Sequence, residues 1–128
     1  MTKQPVCLTS DVSVEYAKVV MYKHCIRHIP VVDDKKLVGI LSKTDLDKVQ
    51  QIDEIAKSKM TYDMREIMNV SNVMTKSINT VQHDDTIKDA AEILSLGSYH
   101  ALPVMSGDDV VGIVTTTDLV IYLLKFYE

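Results

Sequence analysis

Apolar positions in this chain follow two periods that alternate along its length. Val14, Ala17, Val20 and Met21 fall at i, i+3, i+6 and i+7, which predicts a helix with one buried stripe. Asp11–Ser13 just before it supplies side chains that start helices. Ile29–Val32 and Leu37–Leu41 are short apolar runs separated by Asp33-Asp34-Lys35-Lys36, which predicts a β-hairpin. Thr44-Asp45-Leu46 then opens a second helix, with Thr and Asp suited to its first turn. A short extended piece at Val6–Leu8 precedes all of this, so the predicted order is β-α-β-β-α.

The whole order recurs 73 residues later without a gap. Thr80–Val81 matches the extended piece, and Asp84–Thr86 the start signal. Ile87, Ala90, Ala91 and Leu94 form the second helical stripe. Leu102–Met105 and Val110–Val114 flank Ser106-Gly107-Asp108-Asp109, and Thr117-Asp118-Leu119 opens the last helix. Thirteen of the 55 superposed pairs are identical, among them Pro30/Pro103, Gly39/Gly112 and Asp45/Asp118. Identity thus concentrates on residues with special backbone or polar roles. Gly97 is a helix stop, and His24 takes its place in the first copy. The division expected is repeat 1 over 1–55, a helical connector over 56–73 and repeat 2 over 74–128. One copy alone buries too little to be stable, whereas two sharing a core in pseudo-twofold fashion solve that problem.

Composition narrows the function. At 128 residues, 46% hydrophobic and 25% charged, the chain is an ordinary globular α/β sequence. A net charge of −4 argues against a duplex nucleic-acid binder. No apolar run approaches the ~20 residues that span a bilayer, and Met1–Cys7 has no signal-peptide core. Cys7 and Cys25 are read as free thiols of a cytoplasmic protein. His24, Cys25 and His28 lie close together, but the second copy has Gly97, Ser98 and Ala101 there, so a fortuitous cluster is the expectation and no metal site. No nucleophile sits in a recognisable elbow, so an enzyme is not expected.

The segments Arg27-His28-Ile29-Pro30-Val31-Val32 and Leu37-Val38-Gly39-Ile40-Leu41-Ser42-Lys43-Thr44-Asp45-Leu46, repeated as His100-Ala101-Leu102-Pro103-Val104 and Val110-Val111-Gly112-Ile113-Val114-Thr115-Thr116-Thr117-Asp118-Leu119, resemble a tandem pair of cystathionine-β-synthase (CBS) domains, a Bateman module. The resemblance implies a regulatory module that binds AMP, ADP, ATP or S-adenosylmethionine in clefts between the repeats, with dimerisation into a disc. It implies one site at Asp45 with Ser42, Lys43, Thr44 and Arg27, and a second at Asp118 with Thr115, Thr116, Thr117 and His100. Ile78, Asn79 and Tyr99 are implied beside Asp45, and Pro5, Val6 and Ile26 beside Asp118. No cofactor is required; an adenine nucleotide is the regulatory ligand.

The chemistry of the residues points the same way. A carboxylate can accept from both hydroxyls of a ribose, in charge-assisted bonds. The plainer reading of Asp45 and Asp118 is helix capping, which by itself is not expected to account for Ser42 and Thr115 three residues earlier. Arg27 and Lys43 give the first site more positive charge than His100 and Thr116 give the second. The last helix, from Leu119 to Tyr127, is apolar nearly all round, whereas Leu46–Ile52 is polar on one face; the asymmetry predicts that the C-terminal helix meets another chain, a homodimer being the first expectation and an effector protein the second. A ligand-independent dimerisation scaffold of the same fold is the alternative.

Overall fold

A computed structural model describes residues 1–55, 68–97 and 100–127. The elements are β1 (Thr2–Lys3), α1 (Val14–His24), β2 (His28–Asp33), β3 (Lys36–Ser42), α2 (Lys43–Ile55), β4 (Val81–Gln82), α3 (Ile87–Leu94), β5 (Ala101–Ser106), β6 (Asp109–Thr115) and α4 (Thr116–Leu124). Single 3-10 turns lie at Val70–Asn72 and Lys125–Tyr127. Of the helical connector predicted over 56–73, residues 56–67 lie outside the described residues, and the remainder includes the 3-10 turn Val70–Asn72.

The chain forms two compact units. One is Val6–Ser77; the other joins Met1–Pro5 to Ile78–Glu128. In the second unit the strand order is β1-β6-β5-β4, with β5 and β6 an antiparallel hairpin and β4 parallel to β5. Thr2 pairs with Ile113 on the outer edge of β6. The first unit repeats the plan with single bridges: Leu8 lies parallel to Val31 of β2, and Thr75 antiparallel to Ile40 of β3. The Met-Thr-Lys segment that heads each sequence repeat therefore closes the sheet of the other repeat.

Turn chemistry sets the hairpins. Asp34 and Lys35 both have positive φ (48° and 66°), as a type I′ turn requires, whereas Gly107 (φ 61°) alone carries the positive φ of the second turn. Both hairpins carry a bulge at matching places, Val31/Val32 and Val104/Met105. Gly39 and Gly112 are needed for close approach. A Cβ on Gly39 would stand 2.5 Å from Met74 Sδ and 3.1 Å from the Thr75 carbonyl. On Gly112 it would stand 2.8 Å from Met1 Sδ and 3.0 Å from the Thr2 carbonyl.

Helix starts fall where expected: Ser13 caps α1 and Thr86 caps α3. The stop of α1 does not. His24 is still helical, and Cys25 takes the left-handed conformation (φ 53°), its N–H reaching Tyr22 and Met21 carbonyls. Gly97 is left-handed (φ 80°) as predicted. Val14, Ala17, Val20 and Met21 are all buried with Ile29, Val31, Leu41 and Leu46 in the first core. The second core holds Val81, Ala90, Leu94, Leu102 and Val104. Ile87 departs from its predicted stripe and is 48% exposed, because it lies on the first turn of α3, ahead of Ala90 and Leu94 that meet the sheet.

Candidate functional site

The start of α2 is built by reciprocal hydrogen bonds. The Ser42 N–H donates to Asp45 Oδ2 (3.0 Å), and the Asp45 N–H donates to Ser42 Oγ (3.0 Å). The start of α4 repeats the pattern: Thr115 N–H to Asp118 Oδ2 (2.9 Å), and Asp118 N–H to Thr115 Oγ1 (3.1 Å). This is a capping box with aspartate at its third position. It accounts in full for Ser or Thr three residues before Asp, so that spacing alone does not signal a ligand, contrary to expectation.

The box also fixes what remains of each carboxylate. Both aspartates are half-buried, and one oxygen, Oδ2, holds the cap. Among the described residues, no hydrogen bond engages Oδ1 of either one. Each unit thus presents an oriented carboxylate oxygen at a helix N-terminus, where negative charge is favoured. Thr75 Oγ1 adds a long bond to Asp45 Oδ2 (3.5 Å), a contact missed from the motif. Its one signal in the sequence is the Met74-Thr75-Lys76 match to Met1-Thr2-Lys3.

Backbone bonds bring the predicted cation positions to these starts. The Lys43 N–H donates to the Arg27 carbonyl (2.8 Å), and the Thr116 N–H to the His100 carbonyl (3.0 Å). Arg27, Lys43 and Thr44 are exposed, as are His100, Thr116 and Thr117. Arg27, Ser42, Lys43, Thr44 and Asp45 thus gather in the first unit, and His100 with Thr115–Asp118 in the second. Ile78 and Asn79 belong to the second unit, as does Pro5. Val6 and Ile26 pack against the core of the first unit. Tyr99 lies outside the described residues.

Asp118 also lines a cavity of about 210 Å³ within the second unit, together with Val81, Ile87, Leu119, Tyr122, His83 and Met1. His83 and Met1 were not among the predicted site residues. Other polar groups are structural. Asp33 accepts from the Ser10 N–H (2.9 Å) and from the Ser10 hydroxyl, which together hold its carboxyl below the usual range. Asp89 Oδ2 accepts from the Thr86 N–H (3.0 Å), and hydrogen bonding with Thr86 holds its carboxyl below the usual range as well. Burial raises the Cys7 thiol. Among the described residues, no group of three His, Cys, Asp or Glu side chains is placed to hold a metal ion, and no helix is long and apolar enough to cross a membrane.

Comparison with known proteins defines the class. The CBS domain family model matches residues 1–51 and 70–125, and the chain belongs to that family, as a tandem pair. It is 32% identical over 123 residues to an L-aspartate semialdehyde sulfurtransferase of Methanocaldococcus jannaschii, covering 93% of this chain and 21% of that protein. The chain thus spans about a fifth of that curated relative. The CBS domain pair of protein MJ0100, solved with 5′-methylthioadenosine and S-adenosyl-L-methionine, aligns with TM-score 0.79 and 28% identity over all of this chain and 94% of that one. CBSX2 in complex with AMP aligns with TM-score 0.79 and 26% identity over all of this chain and 95% of that one.

Proposed function

We propose that this CBS pair is a regulatory module that senses an adenosine-containing nucleotide and passes its occupancy to a partner or a neighbouring domain. The observation that carries the reading is the Oδ1 on each capped aspartate, fixed in direction by the cap and, among the described residues, not engaged in a hydrogen bond, which suits it to a ribose hydroxyl. The adenosine ligands of the two similar CBS pairs support it. Arg27 and Lys43 suit the first site to phosphate, and His100 with Thr116 suit the second to a less charged ligand. Binding regulates only through different affinity for two conformations, so the module works as a binder and not as a catalyst. It acts in the cytoplasm, needs no cofactor, and assembles as a homodimer through its C-terminal helix, without nucleic acid or membrane.

Calorimetry with AMP, ATP, adenosine and S-adenosylmethionine tests this. Asn at either position keeps an oxygen for the cap but removes the charge, so Asp45→Asn and Asp118→Asn are better probes than Ala. A charge-assisted bond is worth ~1.5–3 kcal/mol, so each variant is expected to weaken one binding event by roughly 10–100-fold. Absence of binding at millimolar ligand, or affinities unchanged in both variants, overturns the proposal. The second reading, a ligand-independent scaffold, is favoured by the capping box, which explains the motif with no ligand at all; it predicts that null result.

A further inference from the structure

The two units differ in how the groove beside their first helix is covered. In the first unit the chain fills it. Val70 is fully buried there, in one core with Leu8, Val14, Val31 and Leu46, and Met68 and Val73 pack against that core. Backbone bonds hold the segment: the Val14 N–H donates to the Met68 carbonyl (2.9 Å), the Val70 N–H to the Val12 carbonyl (2.9 Å) and the Ser71 N–H to the Ser10 carbonyl (3.0 Å). In the second unit the corresponding place is the cavity of about 210 Å³. Val81, Ile87, Val104 and Leu119 line it, and they stand 73 residues after Leu8, Val14, Val31 and Leu46. Val14 is 3% exposed and Ile87 48%; Val49 is 8% exposed and its counterpart Tyr122 40%. Among the described residues, no hydrogen bond engages the carbonyls of His83 and Asp85 or the N–H of Ile87, the counterparts of the Ser10, Val12 and Val14 groups that hold the segment in the first unit.

We infer that this groove of the second unit is a seat for a short extended segment of a partner protein, with aliphatic side chains spaced as Met68, Val70 and Val73 are and with no acidic residue among them. The first unit shows what such a surface takes: one aliphatic side chain to fill the pocket and a backbone to pair with its edge. That combination is how an added strand gains affinity from its main chain and specificity from its side chains. Size agrees. An apolar cavity of ~150 Å³ holds one benzene, so the present one takes a single branched aliphatic side chain, as the first unit takes Val70. Charge sets the rest. Asp85 and Asp118 line the cavity, Asp85 standing where the first unit has Val12, so an acid on the partner would meet like charge. The inference does not rest on adenosine binding; a module that binds no nucleotide would still hold such a segment.

The chain's own sequence supplies the probe. A blocked peptide Met-Asn-Val-Ser-Asn-Val, the sequence of Met68–Val73, is titrated into the isotope-labelled full chain and followed by NMR. It should shift the resonances of Val81, Ile87, Val104 and Leu119. It should spare Leu8, Val14 and Leu46, whose groove already holds a tethered segment at high effective concentration. One filled pocket and a few backbone bonds make a weak complex, so half-saturation is expected at ~1 mM. The Val70→Asp peptide should not bind. Ile87→Asp, a change at a half-exposed position, should abolish the shifts with the melting curve of the protein retained. Resonances that stay fixed up to ~10 mM peptide, ten times the expected midpoint, overturn the proposal. So do shifts of equal size with the Val70→Asp peptide or in Ile87→Asp. Shifts in the groove that appear on concentrating the protein alone, and that leave it closed to the peptide, also overturn it, because a second copy is then the occupant.

Discussion

The two units share a backbone plan and differ in what they do with its surface. Ile29 and Leu102 are superposed and fully buried, Gly39 and Gly112 both admit a methionine, and both helix starts carry the same capping box. Outside these positions the copies diverge. The first unit has Arg27 and Lys43 at its helix start and a polar α2; the second has His100 and Thr116 and an apolar α4. The first unit ties Asp33 to Ser10, whereas the second has Ser106 and His83 at those places and no such bond among the described residues. Duplication kept the core, the close approach and the caps, and left charge and stickiness free to specialise.

The equivalence of the cores is open to the harshest test. Ile29→Ala and Leu102→Ala are each expected to cost about 2–5 kcal/mol in denaturant unfolding. Values differing by more than about 2 kcal/mol would break the equivalence of the two sites. A smaller effect comes from the glycines. Gly39→Ala and Gly112→Ala are each expected to cost about 1–3 kcal/mol by overpacking. Adding Met74→Ala should recover part of the first loss, since the thioether yields while the Thr75 carbonyl at 3.1 Å stays.

The subtlest test uses pH. Asp33 has its folded pKa held below its unfolded value by Ser10, so its stabilisation is present above an unfolded pKa of ~3.9 and is lost as pH falls through the folded value. The stability gap between the wild type and Ser10→Ala should therefore be full at pH 7 and close under strong acid. Ser106→Ala, at the matching place in the second unit, should stay within ~0.5 kcal/mol of the wild type throughout.

Much of this was legible in the residues because it is local. Alternating apolar runs with turn residues between them gave both hairpins, and Ser13 and Thr86 marked their helix starts. Long-range placement was not legible. Thr2–Lys3 is too short to carry a strand pattern, and nothing in it announces Ile113 as its partner. The Ser10–Asp33 link joins a loop to a strand 23 residues away. Cys25 adopts a conformation usually given to glycine, so residue type pointed one position too early. The spacing of Ser42 with Asp45 and of Thr115 with Asp118 is legible in the sequence, but a cap and a ligand site ask for the same residues, and only the hydrogen bonds show that one oxygen of each carboxylate holds the cap.

The pairing of Thr2 with Ile113 also sets a timetable. Translation makes Thr2–Lys3 some 110 residues ahead of their neighbour, roughly 5–20 s at ordinary ribosomal rates. Val6–Ser77 is finished in between and needs nothing synthesised after it to close its sheet. Thr2–Lys3 therefore find their place only after Val6–Ser77 and β6 have been made, and the β6 edge that they seal is bare until they do.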